Sequence, residues 1–288
     1  MTRHPRLLLL LTVVGAACGA PPPPSLLDAG QPDAGGPRRD AGAVMDGGAT
    51  AGGSGGGSAG GASGGGLPGP NVPPVVGAAI TAPVTSVFAG QLASLSISAT
   101  DANQDRLTFT WTQVSPAGEQ GFFFQNGSPN AQRWSSPETL TPTAYVLRVS
   151  VTDNRSPPEE REVTVMVRPP RFTDVFNAVL GVPVLQGGQC VGCHGSMGSY
   201  TVGGTPNAAW TRLVNVAHNH GAGCRSAGVT SLVVPNDKQR SLLYLKMAGL
   251  QPAACGDVMP RGTSAVPPSP PNQTVTVGTW IRLGAPND

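Results

Sequence analysis

Alternation of apolar and polar positions dominates the middle of the chain. Between residues 71 and 169, short runs such as 107–111 and 145–151 carry apolar side chains at every second position, with turn-forming residues between the runs. A period of two is typical of β-strands, and strands joined by turns over a segment of this length fit a two-sheet sandwich. The pattern predicts an all-β sandwich over 71–169, with Trp111 as its buried tryptophan.

The apolar spacing changes to a helical period in the C-terminal part of the chain. Phe172, Phe176 and Leu180 fall on one side of a helix. The last run, residues 275–283, contains β-branched residues that favour a strand, but its apolar spacing favours a helix, which is the interpretation we choose. We therefore expect a mostly α domain over 170–288.

The N-terminus has the pattern of a secretory signal. The apolar run 7–14 follows two arginines and is too short to span a bilayer as a helix. We expect residues 1–17 to be a signal peptide. Cys18 comes directly after small residues, which resembles the lipobox of bacterial lipoproteins, in which the thiol is acylated. Cleavage after Ala20, leaving a soluble exported protein, is the alternative.

Residues 18–70 are dominated by Gly, Ala, Pro, Ser and Asp. Such a composition cannot bury enough apolar surface to offset the entropy of ordering. We expect a disordered, flexible tether that holds the following domains near the membrane to which Cys18 would attach.

One short motif points to specific chemistry. Cys190, Cys193 and His194 form a Cys-x-x-Cys-His pattern. Two thiols at this spacing can each add across one vinyl group of a haem, and the histidine beside them can ligate the iron. A zinc site would need a second Cys/His pair at ligand spacing, and a thioredoxin-like motif would need a βαβ setting. Neither is visible, so we expect one covalently attached haem c.

Two further cysteines remain unassigned. Cys224 and Cys255 are left after Cys18 and the haem thiols are counted. In the oxidising compartment that an exported protein enters, such a pair most simply forms a disulfide.

These features together resemble a single-haem class I cytochrome c domain, covering residues 170–288. The resemblance rests on the Cys-x-x-Cys-His motif, a Met-Pro pair and the helices predicted on either side. It implies a distal iron ligand in addition to the proximal histidine. Which residue supplies this sixth ligand stays open. The implied roles are covalent thiols Cys190 and Cys193, proximal ligand His194 and distal ligand Met259, with His218, His220 or an open position as alternatives to Met259.

The sandwich segment resembles PKD and related immunoglobulin-like modules of secreted proteins. The resemblance rests on the residues around Asp101, on the run 107–111 and on the strand that ends at Asp153. Asp101, Asn103 and Asp105 alternate as in the start of a calcium loop, but no glycine occupies the sharp-turn position. We interpret them as a polar hairpin turn.

The expected fold class is therefore multidomain: an all-β immunoglobulin-like sandwich followed by a mostly α cytochrome c domain, with a disordered N-terminal tether. We expect an exported, lipid-anchored protein of the cell envelope that carries single electrons between redox protein partners and is not an enzyme. A net charge of +2 argues against nucleic acid as a partner. Residues 170–288 hold eight Arg and Lys against four Asp, which favours an acidic partner.

Two alternatives remain at this point. The chain can be a surface binding or structural lipoprotein, whose immunoglobulin-like module recognises glycan or protein while the haem domain is accessory. It can also be a haem enzyme or gas sensor, which requires an open or displaceable sixth position on the iron.

Overall fold

A computed structural model describes residues 70–181, 190, 194, 201–261 and 269–288. The predictions for residues 1–17 and 18–70, for Cys18 and for Cys193 lie outside these described residues. One compact unit contains the described residues from Asn71 to Asp288.

The strands of this unit form two larger sheets and one short pair. The first sheet has the order β2-β9-β8-β5, the second has the order β3-β7-β6, and β1 pairs with β4. All pairs are antiparallel except β2 with β9. The bounds are β1 Val75–Val76, β2 Ser86–Phe88, β3 Leu92–Ser96, β4 Ala99–Thr100, β5 Thr108–Ser115, β6 Phe122–Asn126, β7 Ser128–Ser135, β8 Thr143–Thr152 and β9 Glu159–Arg168.

An apolar core lies between the two larger sheets. Side chains of β8 alternate between buried and half-buried, because successive residues of a strand point to opposite faces. The buried set of β8 packs with residues of β2, β3, β7 and β9. The core contains Val87, Ala93, Leu95, Trp134, Tyr145, Leu147, Val149, Val151, Val165 and Val167, among others.

The buried tryptophan of the sandwich is Trp134, so the prediction of Trp111 is wrong. The Trp134 side chain is fully buried, and its ring centroid lies 5.2 Å from that of Tyr145. Trp111 is half-buried, and its indole N–H donates to the carbonyl of Pro129 at 3.2 Å. The reason is topological, because Trp111 lies on an edge strand of its sheet, whereas Trp134 lies on the central strand of the other.

Residues after 170 form short helices joined by irregular segments. A first helix runs directly into a π-helical turn, Phe176–Leu180, and two single 3-10 turns, Lys238–Arg240 and Ala253–Cys255, lie on either side of the fourth helix. The helix bounds are α1 Phe172–Val175, α2 Pro206–Leu213, α3 Ala222–Ser226, α4 Leu242–Ala248 and α5 Pro271–Arg282.

The predicted fold class is wrong. Strands hold about 29% of the described residues and helices about 25%, so this part of the chain is mostly β, and its C-terminal region is not a mostly α domain. The physical reason lies in helix-ending residues. The fourth helix ends at Gly249, which has a left-handed φ of 71°, and Pro252 and Pro260 follow, neither of which can continue a helix.

Isolated bridges replace helix in part of this region. Val214 pairs with Val233, and Ala217 and Ser231 form a further bridge nearby. Apolar residues spaced at a helical period can also form the buried side of an irregular segment. The sequence pattern does not distinguish a helix from such a segment.

The last element is helical, which confirms that choice for residues 275–283. Pro271 occupies the first turn of α5, where its missing N–H has no intrahelical partner to lose. Val275 packs into the sandwich core, while Trp280 and Ile281 belong to a second apolar core formed by the C-terminal residues. The helix therefore contributes to both cores.

An ionic contact also joins the two parts of the unit. The carboxylate of Glu138, between β7 and β8, accepts hydrogen bonds from Lys238 and from Arg282. Among the described helices, none has the length and apolar character needed to cross a bilayer.

Candidate functional site

Cys190 and His194 are both in helical backbone and both half-buried. The carbonyl of His194 accepts a hydrogen bond from the amide of Val202 at 2.8 Å, which attaches His194 to the segment that begins at residue 201. Residues 191–193, and with them Cys193, lie outside the described residues.

The thiol of Cys190 is free and lies against the C-terminal core. Desolvation by burial raises the pKa of this thiol to about 11. The core around it contains Phe172, Val175, Leu180, Leu213, Leu232, Leu242, Leu245 and Trp280, among others.

Met259 is half-buried and is attached by its backbone to the fourth helix and to Ser269. Its amide donates to the carbonyl of Lys246 at 3.0 Å, and its carbonyl accepts a hydrogen bond from the hydroxyl of Ser269 at 3.1 Å. The amide of Ser269 in turn donates to the carbonyl of Met247 at 3.1 Å. The backbone amide and the backbone carbonyl of Met259, the predicted distal ligand, are therefore both held by hydrogen bonds.

Cys224 and Cys255 form a disulfide, with the two sulfurs 1.99 Å apart. This is the pair that the cysteine count predicts. Both residues are fully buried and belong to the same core as Cys190. The bond ties the third helix to the 3-10 turn that precedes Met259.

The two histidines that compete with Met259 lie close to this disulfide. His218 is 3% exposed; its Nε2 lies 2.7 Å from the carbonyl oxygen of Val229 and 3.5 Å from the sulfur of Cys224. Its Nδ1 is buried and has no hydrogen-bond partner among the described residues. The ring centroid of His220 lies 5.6 Å from that of His218. The pKa of His220 is lowered by desolvation, then by the charges of Lys246 and His218.

Lys246 is a charged residue of this region that the sequence analysis missed. It is 7% exposed, and its ammonium donates to the backbone carbonyl of Asp257 at 2.7 Å. Desolvation lowers the pKa of Lys246, and the charge of Asp257 acts in the opposite direction. A signal was present in the sequence, since Lys246 stands in a helix that is otherwise apolar apart from Tyr244.

Three carboxylates meet at one end of the sandwich. Oxygens of Asp101, Asp105 and Asp153 lie within 4.8 Å of one another. Asp101 accepts the amides of Asn103 and Asp105 at 2.8 and 3.0 Å, as a polar turn requires. Arg155 donates to Asp105 at 3.0 Å and balances part of the charge. The sequence analysis missed the approach of Asp153, which lies on a different turn. Oδ2 of Asp101 is buried and has no hydrogen-bond partner among the described residues, and we assign no ion to the cluster.

The described donor atoms fit the group that the Cys-x-x-Cys-His motif implies. A thiol lies at the margin of an apolar core, an imidazole lies four positions later in the sequence, and a thioether lies on a separately anchored segment. Haem combines an apolar ring with an iron that takes nitrogen and sulfur ligands.

No protein-family model and no curated protein matches the chain. Among solved structures, it is similar to a nucleoside hydrolase-related hypothetical protein from Saccharophagus degradans that is associated with carbohydrate metabolism. The match has 21% identity and a TM-score of 0.25, and it covers 34% of this chain and 26% of that one.

Two immunoglobulin-type structures are also similar to the chain. The N-terminal Ig1-2 module of the Drosophila receptor protein tyrosine phosphatase DLAR matches with 12% identity and a TM-score of 0.26, over 35% of this chain and 53% of that one. The titin M3 domain matches with 15% identity and a TM-score of 0.24, over 33% and 97%. The chain thus spans about a quarter of the first relative and half of the second. No conclusion about function is drawn from scores this low.

Proposed function

We propose that this protein binds one haem c covalently through Cys190 and Cys193, and that it carries single electrons between redox proteins of the cell envelope. The observation that supports the proposal most directly is that Cys190 and His194 both have helical backbone, with the Cys190 thiol against an apolar core. When bound, the haem supplies an iron that accepts and releases one electron without a change in the chain.

Each residue of the site has a role in this proposal. The neutral thiol of Cys190 can add its sulfur and hydrogen across a vinyl double bond, and Cys193 would do the same at the second vinyl group. His194 would ligate the iron from one side and Met259 from the other. With both axial positions filled, substrates could not reach the iron, which favours an electron carrier over a haem enzyme.

Export to the cell envelope is part of the same proposal. The signal pattern in residues 1–17 and the position of Cys18 support export and a lipid anchor. The disulfide between Cys224 and Cys255 gives independent support, because such bonds form and persist in oxidising compartments.

Intact mass spectrometry of the full chain, matured in a host that attaches haem c, tests the proposal. We expect the added mass of one haem, and we expect that mass to be absent when both Cys190 and Cys193 are replaced by alanine. The double variant Cys224→Ser and Cys255→Ser is the matched control, since it also removes two cysteines but should keep the haem. A wild-type protein without the added mass would refute covalent haem binding.

Optical spectra distinguish the possible sixth ligands. We expect Met259→Ala to lose the sulfur-to-iron charge-transfer band of the oxidised protein, while His218→Ala and His220→Ala keep it. Rapid binding of carbon monoxide to the reduced wild-type protein would indicate an open sixth position and would favour the haem-enzyme class instead.

A further inference from the structure

Lys246 is a buried cation whose charge is not matched by a carboxylate at contact distance. The side chain lies on the fourth helix, and among the described residues no carboxylate oxygen is within ion-pair distance of Nζ. The carboxylate of Asp257, whose backbone carbonyl accepts from Nζ, instead pairs with Arg261 at 2.8 Å and is exposed. Burying an ammonium is costly unless its hydrogen bonds are satisfied, so a buried lysine of this kind needs a physical explanation.

The contacts of Lys246 hold the Met259 segment at two points. The ammonium donates to the carbonyl of Asp257 at 2.7 Å, and the backbone carbonyl of Lys246 accepts the amide of Met259 at 3.0 Å. One residue of the fourth helix therefore contacts both ends of the three-residue segment 257–259.

Gly256 provides the left-handed backbone turn that leads into this segment. Its φ is 79°, in the left-handed region that favours glycine. A Cβ at this position would lie 3.6 Å from Nζ of Lys246 and 3.2 Å from Cε1 of His220. The backbone thus turns toward the ammonium directly before Asp257, whose carbonyl accepts the hydrogen bond from Nζ of Lys246.

We infer that Lys246 is a positioning residue: it holds the Met259 segment and would place a positive charge near an iron bound by Met259. The inference rests on the proposed function, because it takes Met259 as the distal ligand. A reduced protein partner would supply one electron to the bound haem, and no bond or proton of the chain would change place. A nearby positive charge therefore favours the reduced state.

Burial is what makes this charge effective. Charges in the low-dielectric interior act over longer distances and are screened less by salt than exposed charges. Arg261 offers the natural comparison, because it is two residues from Met259 but its side chain is 75% exposed. A positive charge at Arg261 should therefore affect the iron much less than one at Lys246.

Hydrogen exchange of the full chain, as purified and whether or not it carries haem, tests the positioning role. Lys246→Met fills a similar volume without the donor, and Lys246→Gln keeps an N–H donor without the charge. We expect Lys246→Met to speed exchange of the amides in 257–259 by about tenfold, and Arg261→Met to change it less than about twofold. Unchanged exchange in a natively folded Lys246→Met protein would overturn the inference. If that variant does not fold, Lys246→Gln is measured in its place, with a smaller increase expected.

The reduction potential of the haem-loaded protein tests the charge. We expect Lys246→Met and Lys246→Gln to have lower midpoint potentials than wild type. Each decrease should be larger than the decrease caused by Arg261→Met. A purely structural role would not lower the potential of a well-folded Lys246→Gln protein. Equal potentials in all four proteins would overturn the inference. A chain that never acquires haem would refute the proposed function, whereas the exchange experiment would still decide whether Lys246 holds the segment.

Discussion

The hydroxyl of Thr276 donates a hydrogen bond to the backbone carbonyl of Ala89 across 3.0 Å. Both residues are buried, and they belong to the last helix and to the turn that directly follows the second strand. One helical turn earlier, the side-chain amide of Asn272 donates to the carbonyl of Gly90 at 3.2 Å. The final helix is therefore attached to the sandwich by its side chains as well as by the burial of Val275.

Gly90 should not tolerate a side chain. Its φ is 88°, and a Cβ would lie 2.1 Å from Oγ1 of Thr276 and 2.3 Å from the carbonyl of Asn272. Gly127 has a similar φ of 83° but nothing within 4 Å of the added atom. We expect Gly127→Ala to lower the free energy of unfolding by about 1 kcal/mol and Gly90→Ala by about 3 kcal/mol or more, as measured by urea denaturation. Equal losses would show that the helix can move away from the strand at little cost.

Glu138 should contribute more to stability than the exposed ion pairs of the sheet. Its side chain is 12% exposed and accepts from both Lys238 and Arg282. We expect Glu138→Gln to lower the free energy of unfolding by about 1–3 kcal/mol, because two partly buried cations lose their anion. Glu162, which pairs with Arg148 in an exposed contact, is the matched control, and Glu162→Gln should cost less than about 1 kcal/mol. Thermal unfolding of both variants makes the comparison.

Local sequence patterns predicted individual strands and helices more reliably than they predicted how those strands and helices pack together. The alternation over 145–151 corresponds to β8, and the helical spacing of Val277, Trp280 and Ile281 corresponds to α5. These signals are local, since they depend on the period of one element. The burial of Trp134 rather than Trp111 depends instead on which strand is central in its sheet, and the sequence does not state strand order.

The candidate site shows the same difference between local sequence signals and contacts that join distant segments. Cys190 and His194 were identified because their spacing is short and chemically specific. Lys246 was missed, because its role depends on contact with Asp257 and Met259 on another segment. The mostly α prediction for the C-terminal part failed because apolar residues at helical spacing also occur in irregular segments with isolated bridges, such as that between Val214 and Val233.

The disulfide should stabilise the C-terminal part through the unfolded chain. Cys224 and Cys255 are 31 positions apart, and closing a loop of this length is worth about 3–4 kcal/mol in the chain-entropy model. We expect the double variant Cys224→Ser and Cys255→Ser to unfold at a lower temperature than wild type by a corresponding amount. Adding a reductant should lower the melting temperature of the wild type and leave that of the double variant unchanged. A wild-type melting temperature that does not respond to complete reduction would contradict this.

Asp153 should make the protein sensitive to acid. The side-chain amide of Asn71 donates to this carboxylate at 2.8 Å, and the amides of Ser156 and Arg155 donate at 2.7 and 2.9 Å. These hydrogen bonds, that from Asn71 first, hold the pKa of Asp153 well below its ordinary value of 3.8. A carboxylate whose pKa is lower in the folded state stabilises that state fully above the unfolded pKa, and this contribution is lost as pH falls below it.

Unfolding free energies of wild type and Asp153→Asn, measured across pH, test this linkage. We expect the difference between the two proteins to be constant from about pH 7 to pH 5 and to shrink below about pH 4, where the unfolded carboxyl of the wild type takes up its proton. Asn71→Ala should weaken the acid dependence, because it removes the largest cause of the lowered pKa while leaving the carboxylate in place. A difference that stays constant down to pH 2 would show that the Asn71 and Ser156 hydrogen bonds do not favour the ionised form, and the acid sensitivity would then have to come from other carboxylates.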